Sequence, residues 1–121
     1  MFFTDREKAA IFRLMGSIAC ADGNLAYEEK KLTDVVVSVM NGPGKGADLA
    51  LNMKPSEAMD IVATMTYDEK RFVCSALGSM VAIDGRIDDK EMLLWALFSE
   101  RCKLPEMSLG DAIKQFKEYL R

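Results

Sequence analysis

Four acidic residues recur in two copies of one short motif. The pattern Asp-Gly-x-(Leu/Ile)-x-x-x-Glu occurs at residues 22–29 and again at residues 84–91. Carboxylate oxygens are the ligands that hard divalent cations such as Ca²⁺, Mg²⁺ and Mn²⁺ prefer. The candidate metal ligands are therefore Asp22, Glu29, Asp84 and Glu91. A divalent cation is the one cofactor that the sequence suggests.

The motif matches only the second half of an EF-hand loop. With Asp84 at loop position 5, Gly85 and Glu91 fall at positions 6 and 12, as an EF-hand requires. Positions 1 and 3 are then Met80 and Ala82, whose side chains cannot bind calcium. The first copy has Ile18 and Cys20 at those two positions. Neither loop is expected to be a calcium-sensing EF-hand.

Helical periodicity predicts that these acids face the edge of the core. The apolar stripe of the first predicted helix, which includes Met15 and Ile18, continues to Asp22, and Met80 leads to Asp84 in the same way. Residues three and four apart share one helix face. Glu29 and Glu91 each begin the stripe of the following helix. Clustered carboxylates repel one another and are costly to desolvate, and a divalent cation would compensate for both effects.

A structural role for the same acids is the alternative. Asp22 and Asp84 can accept hydrogen bonds from loop amides, as Asx turns do. Glu29 and Glu91 fall near the third position of the second helices and can close capping boxes, with Asp88 as the N-cap partner of Glu91. The sequence alone leaves both interpretations open.

The composition excludes several function classes. The chain has no histidine, so histidine zinc sites and Ser-His-Asp or Cys-His catalytic groups are absent, and no enzymatic activity is expected. The three cysteines form no C-x-x-C pair and are predicted to be small core residues. A net charge of −3 without a basic stripe argues against nucleic acid as a partner. Since no signal sequence and no membrane-spanning run is evident, the expected location is the cytoplasm.

A gapless internal repeat organises the chain. A shift of 62 positions places Thr4 on Thr66, Gly16 on Gly78, and the first acidic motif on the second. Each copy predicts a helix opened by a Thr-x-x-Glu capping box, a tight loop with glycine, and a second helix. The second helices are predicted from about 27 to 40 and from about 89 to 101.

We therefore predict one all-α domain over residues 1–121, a small bundle of two pseudo-repeated helix–loop–helix hairpins. Its predicted parts are repeat one at about 4–43, a linker helix at about 55–65, repeat two at about 66–105 and a C-terminal helix at about 108–120. A shorter helix is predicted at 48–53 within the linker region. Ile113, Phe116 and Leu120 are predicted to share one face of the C-terminal helix.

The residues around both motifs resemble the tellurite-resistance TerB family. Ala21-Asp22-Gly23-Asn24-Leu25 followed by Glu29, and Ile83-Asp84-Gly85-Arg86-Ile87 followed by Glu91, carry the resemblance. The same residues also resemble the N-terminal domain of DnaJ-type DjlA co-chaperones, which is related to the TerB family. The resemblance implies an all-helical domain with an acidic cluster suspected of binding metal, linked to tellurite and other stress responses. At position 26 the first copy has alanine, whereas the equivalent position of the second copy has the polar Asp88. The first site is therefore expected to be the weaker one.

Two functions remain open at this point. The first is a divalent-metal-binding domain of the tellurite or stress response. The alternative is a non-enzymatic protein-interaction module, similar to the co-chaperone domain, in which the loop acids are structural caps and the partner is another protein. The sequence does not predict the oligomeric state.

Overall fold

A computed structural model describes residues 1–21, 27–83 and 85–120. Within these residues the chain forms helices and no strand, which confirms the all-α prediction. The helices are α1 (Asp5–Ala19), α2 (Tyr27–Val39), α3 (Gly46–Ala50), α4 (Pro55–Ala63), α5 (Tyr67–Ala82), α6 (Asp89–Arg101) and α7 (Leu109–Glu118). The run of three valines at 35–37 lies inside α2, so the helical period prevails over the strand propensity of valine.

The first helix of each repeat begins at a capping box, as predicted. Thr4 Oγ1 accepts from the amide of Glu7 (3.1 Å), and the Glu7 carboxylate accepts from the amide of Thr4 (2.9 Å). Thr66 and Glu69 form the same pair of hydrogen bonds at the start of α5. Both threonines have nearly identical backbone angles, with φ of −70° and −69° and ψ of 165°. The two repeats therefore enter their first helices in the same conformation.

The two first helices, α1 and α5, pack against each other at the centre of the molecule. The second helices α2 and α6 each contact both of them. The linker helices α3 and α4 cover α1, and α7 covers α5. The largest fully buried side chains come mainly from α1 and α5, and they include Ile11, Leu14, Met15, Ile18, Phe72, Val73, Leu77 and Met80.

The short linker helix and one cysteine differ from the sequence predictions. Helix α3 begins two residues and ends three residues earlier than the predicted 48–53, and its first residue, Gly46, packs closely against Lys8, Ala9 and Phe12 of α1. Cys20, predicted to be a core residue, is exposed. It follows the last residue of α1 as the C-cap, beyond the buried stripe, whereas Cys74 and Cys102 are buried as predicted.

Among the helices in the described part of the chain, none combines the length and the apolar character needed to cross a bilayer.

Candidate functional site

Glu29 and Glu91 occupy equivalent buried positions in the two repeats. Each is the third residue of the second helix of its repeat, α2 or α6. Their relative exposures are only 2% and 3%. The prediction that both glutamates turn toward the core is therefore confirmed.

The burial of these glutamates differs from that of the glutamates that close capping boxes. Glu7 and Glu69 are half-buried while they accept hydrogen bonds from the N-cap amides of Thr4 and Thr66. A glutamate can thus serve as a cap in this fold without leaving the surface. The nearly complete burial of Glu29 and Glu91 goes beyond what that role requires.

The start of α6 shows how the second glutamate is positioned. Asp88 is the N-cap, and its Oδ1 accepts from the amides of Lys90 (2.9 Å) and Glu91 (3.1 Å). This confirms the predicted capping role of Asp88, and it fixes the first turn of the helix from which the Glu91 side chain projects. Gly85 has a φ of +79°, a conformation that glycine adopts without steric cost. The glycine of the second motif therefore adopts the left-handed conformation that a tight loop can use.

The electrostatics of a helix N-terminus favours negative charge in the first turn, where the acids of α2 and α6 lie. The first amides of a helix point outward unpaired, and the aligned peptide dipoles give that end a partial positive charge. Glu28 and Glu29 lie in the first turn of α2, and Asp89 and Glu91 lie in the first turn of α6. These carboxylates suit either a structural role at the helix start or a cation held between helix and loop.

Asp22 and Asp84, the other two predicted ligands, lie outside the residues that the structure describes. Within residues 1–21, 27–83 and 85–120, no three histidine, cysteine, aspartate or glutamate side chains form a group suited to a metal ion. Neither Asp22 nor Asp84 belongs to these ranges. The convergence of the four acids on one cation therefore stays a prediction.

The buried cysteines do not offer a nucleophile at neutral pH. Burial raises the pKa of the Cys102 thiol to about 11, and the nearby positive charges of Arg101 and Lys70 offset this only in part. Burial also raises the pKa of Cys74, whose Sγ contacts the carbonyl oxygen of Pro105 at 3.4 Å. Because the thiolate is the reactive form, both thiols are structural groups.

The structure also contains a groove that the sequence did not predict. A space of about 470 Å³ lies between α2, α5 and α7, and its lining includes Ser79, Phe116 and Leu120. The sequence predicted that Ile113, Phe116 and Leu120 share a face, but it gave no sign that this face leaves Leu120 half exposed beside an open groove. The strong amphipathic pattern of α7 is visible in the sequence, but it does not show which part of the apolar face stays uncovered. That depends on the packing, in which only α5 makes an extensive contact with α7 among the described residues.

Comparison with known proteins identifies a similar solved structure. No protein-family model matches the chain, and no curated protein matches it. The crystal structure of PG1108, a protein of unknown function from Porphyromonas gingivalis W83, is similar to this chain with a TM-score of 0.81. The two sequences are 32% identical, and the match covers 98% of each chain.

Proposed function

This chain belongs to the same family as the P. gingivalis protein, and we propose that it is a TerB-like domain that binds a divalent cation through Asp22, Glu29, Asp84 and Glu91. The proposal places it in the cytoplasm, in the tellurite or a related stress response, without enzymatic activity. The observation that carries the proposal is the matched burial of Glu29 and Glu91 at the same position of the two repeats.

Removing a carboxylate from water costs free energy. A buried carboxylate needs hydrogen-bond donors or a positive charge to compensate for lost hydration. An aspartate seven residues earlier in each motif adds a second negative charge to each loop. Amide groups can satisfy one carboxylate, but mutual repulsion grows when two acids approach each other. A divalent cation relieves both costs, and oxygen ligands favour Ca²⁺, Mg²⁺ or Mn²⁺.

Thermal unfolding in chelator and in each of the three metals tests this function. A cation that binds only the folded state adds about 2.7 kcal/mol at a hundredfold excess over Kd. With an unfolding entropy of about 2.1 cal/mol/K per residue, the melting temperature should rise by roughly 10 °C. Asp84→Asn removes one charge while it keeps a side chain suited to a turn, so it should reduce the shift. Melting temperatures that are unchanged in all three metals would overturn the proposal.

A protein-interaction module is the second candidate function, favoured by a separate surface. Leu93 and Leu97 lie one turn apart on α6 and are 71% and 50% exposed, and Ile87 is exposed just before the helix. Apolar side chains grouped on one face often mark a protein contact. Under this interpretation the four motif acids only cap helices and turns, so adding a divalent metal does not raise the melting temperature. Glu91→Ala then lowers the stability of the metal-free protein by about 1 kcal/mol.

A further inference from the structure

The groove between α2, α5 and α7 has the size and lining of a small-molecule site. Its volume of about 470 Å³ falls within the range of pockets that hold small ligands, about 300–1,000 Å³. Most of its lining is apolar, with Val35 from α2, Ile83 beyond the end of α5, and Phe116 from α7. Ile83 and Leu120 remain 38% and 51% exposed, so the groove is open to solvent.

A buried hydroxyl without a partner lies in this apolar lining. Ser79 is 5% exposed, and no residue that the structure describes forms a hydrogen bond with its Oγ. A buried hydroxyl that forms no hydrogen bond is unfavourable, so such groups are uncommon in folded proteins. Ser79 lines the groove, and its Oγ would gain a partner if a ligand oxygen displaced the apolar side chains that cover it.

The repeat supplies an internal comparison for this serine. Ser17, the equivalent residue of repeat one, donates from Oγ to the carbonyl oxygen of Arg13 (3.1 Å) and accepts from Arg13 Nη1 (3.2 Å). In repeat two the position of Arg13 is taken by Ser75, whose own hydroxyl donates to the carbonyl oxygen of Phe72 (2.8 Å). Ser79, which lines the groove, therefore has no arginine partner such as Arg13 provides to Ser17.

Charged side chains at the groove favour an anionic group. Lys31 from α2 and Lys117 from α7 both line it and are exposed, whereas Glu28 is the single acid among the lining residues that the structure describes. Among the described lining residues, two positive charges thus face one negative charge, on a chain whose net charge is −3. Lys31 Nζ also lies over the exposed ring of Tyr27, 5.0 Å from the ring centroid. This cation–π contact does not neutralise the charge of the ammonium group.

From these observations we propose that the groove binds a small amphiphile of the fatty-acid class. Its hydrocarbon chain would lie along the apolar lining that includes Val35 and Phe116. One carboxylate oxygen would accept a hydrogen bond from Ser79 Oγ, and the ammonium groups of Lys31 and Lys117 would balance the charge. This site uses none of the four motif acids and is independent of the proposed metal binding.

The test uses dodecanoate as the probe, titrated into ¹⁵N-labelled full-length protein below the concentration at which it forms micelles. EDTA is present throughout, so divalent cations play no part in the result. We expect saturable chemical-shift changes that concentrate on groove residues of α2, α5 and α7. The variant Lys31→Glu/Lys117→Glu should raise the dissociation constant at least tenfold. Lys90→Glu, which changes an exposed lysine on α6 outside the groove, should leave it unchanged.

A second variant tests the role of the hydroxyl. Ser79→Ala removes no hydrogen bond that the structure describes, so it should fold as well as the parent and bind dodecanoate several-fold more weakly. Dodecanol, which has no charge, should bind the double lysine variant and the parent equally. Shifts that do not saturate, shifts that map outside the groove, or unchanged dodecanoate affinity in the double lysine variant would overturn the proposal.

Discussion

Trp95 packs directly onto Gly78, and this contact joins α6 to α5. A Cβ atom added at Gly78 would lie 2.8 Å from Cζ2 of Trp95 and 2.7 Å from Cβ of Ala112 on α7. One turn earlier on α5, the carbonyl oxygen of Cys74 accepts a hydrogen bond from Trp95 Nε1 (3.2 Å). The second repeat thus needs a glycine where three helices meet. Around Gly16, its counterpart in repeat one, no described residue outside the backbone of its own helix comes within 4 Å of an added Cβ.

This asymmetry predicts opposite effects for the same substitution in the two repeats. Gly78→Ala should destabilise the protein by about 1–3 kcal/mol, because overpacking forces the indole and α7 to shift. Gly16→Ala should stabilise it by about 0.5–1 kcal/mol, because alanine in an uncrowded helix costs less backbone entropy than glycine. Urea unfolding of both variants measures the two values. Equal effects at the two positions would show that the contact with Trp95 is not a constraint.

The loop glycine of the second motif gives a prediction about backbone conformation alone. Among the described residues, none lies within 4 Å of a Cβ added at Gly85, so the obstacle to substitution that the structure shows is its φ of +79°. Gly85→Val should therefore cost at least about 1 kcal/mol, since β-branched residues resist positive φ. Gly85→Asn should cost clearly less, because asparagine tolerates the left-handed region. Equal stability of the valine and asparagine variants, measured by urea unfolding, would contradict this account.

Much of the fold follows from local patterns in the sequence. The capping boxes at Thr4 and Thr66 and the 62-residue offset place the first helices, and the apolar stripes orient the second helices. The capping boxes and the stripes depend on neighbours three or four residues apart, and the repeat appears when the sequence is compared with itself, so all three signals are visible without the tertiary structure. The burial of Glu29 and Glu91 was predictable for the same reason, because each continues an apolar stripe.

The groove could not be predicted in this way. It exists because α2, α5 and α7 leave a space between them, and the distances between helices are not encoded in the periodicity of any one of them. Cys20 illustrates the same limit, since its apolar character suggested burial but its place at the end of α1 exposes it. Gly16 and Gly78 are aligned by the repeat, yet only the tertiary contact with Trp95 distinguishes them.

Alkaline conditions should destabilise the folded state through Cys102. Burial raises the pKa of this thiol from about 9 to about 11. Between these values the unfolded chain loses the proton while the folded chain keeps it, so the free energy of unfolding falls as pH rises. Below pH 9 this contribution to stability is fully present. The raised pKa of Cys74 acts in the same direction.

Cys102→Ser is the matched variant for this effect. Cys102 Sγ donates to the carbonyl oxygen of Met59 (3.4 Å), and a serine hydroxyl can donate to the same atom without titrating in this range. Urea unfolding from pH 8 to pH 11 should show that the parent loses more stability than the variant, while lysines and tyrosines cancel in the comparison. Parallel pH profiles for the two proteins would show that the Cys102 thiol titrates alike in the folded and unfolded states.

Whether the buried glutamates are metal ligands is tested most directly by titrating Mn²⁺ into protein that a chelator has freed of metal, with calorimetry as the readout. We expect saturable binding in the parent protein and none in Glu29→Gln/Glu91→Gln, because both changes remove a charged ligand from a buried position. The control Glu7→Gln/Glu69→Gln changes the two capping glutamates of the same repeats and should bind like the parent. An absence of saturable heat, or full binding by the Glu29→Gln/Glu91→Gln protein, would contradict the account.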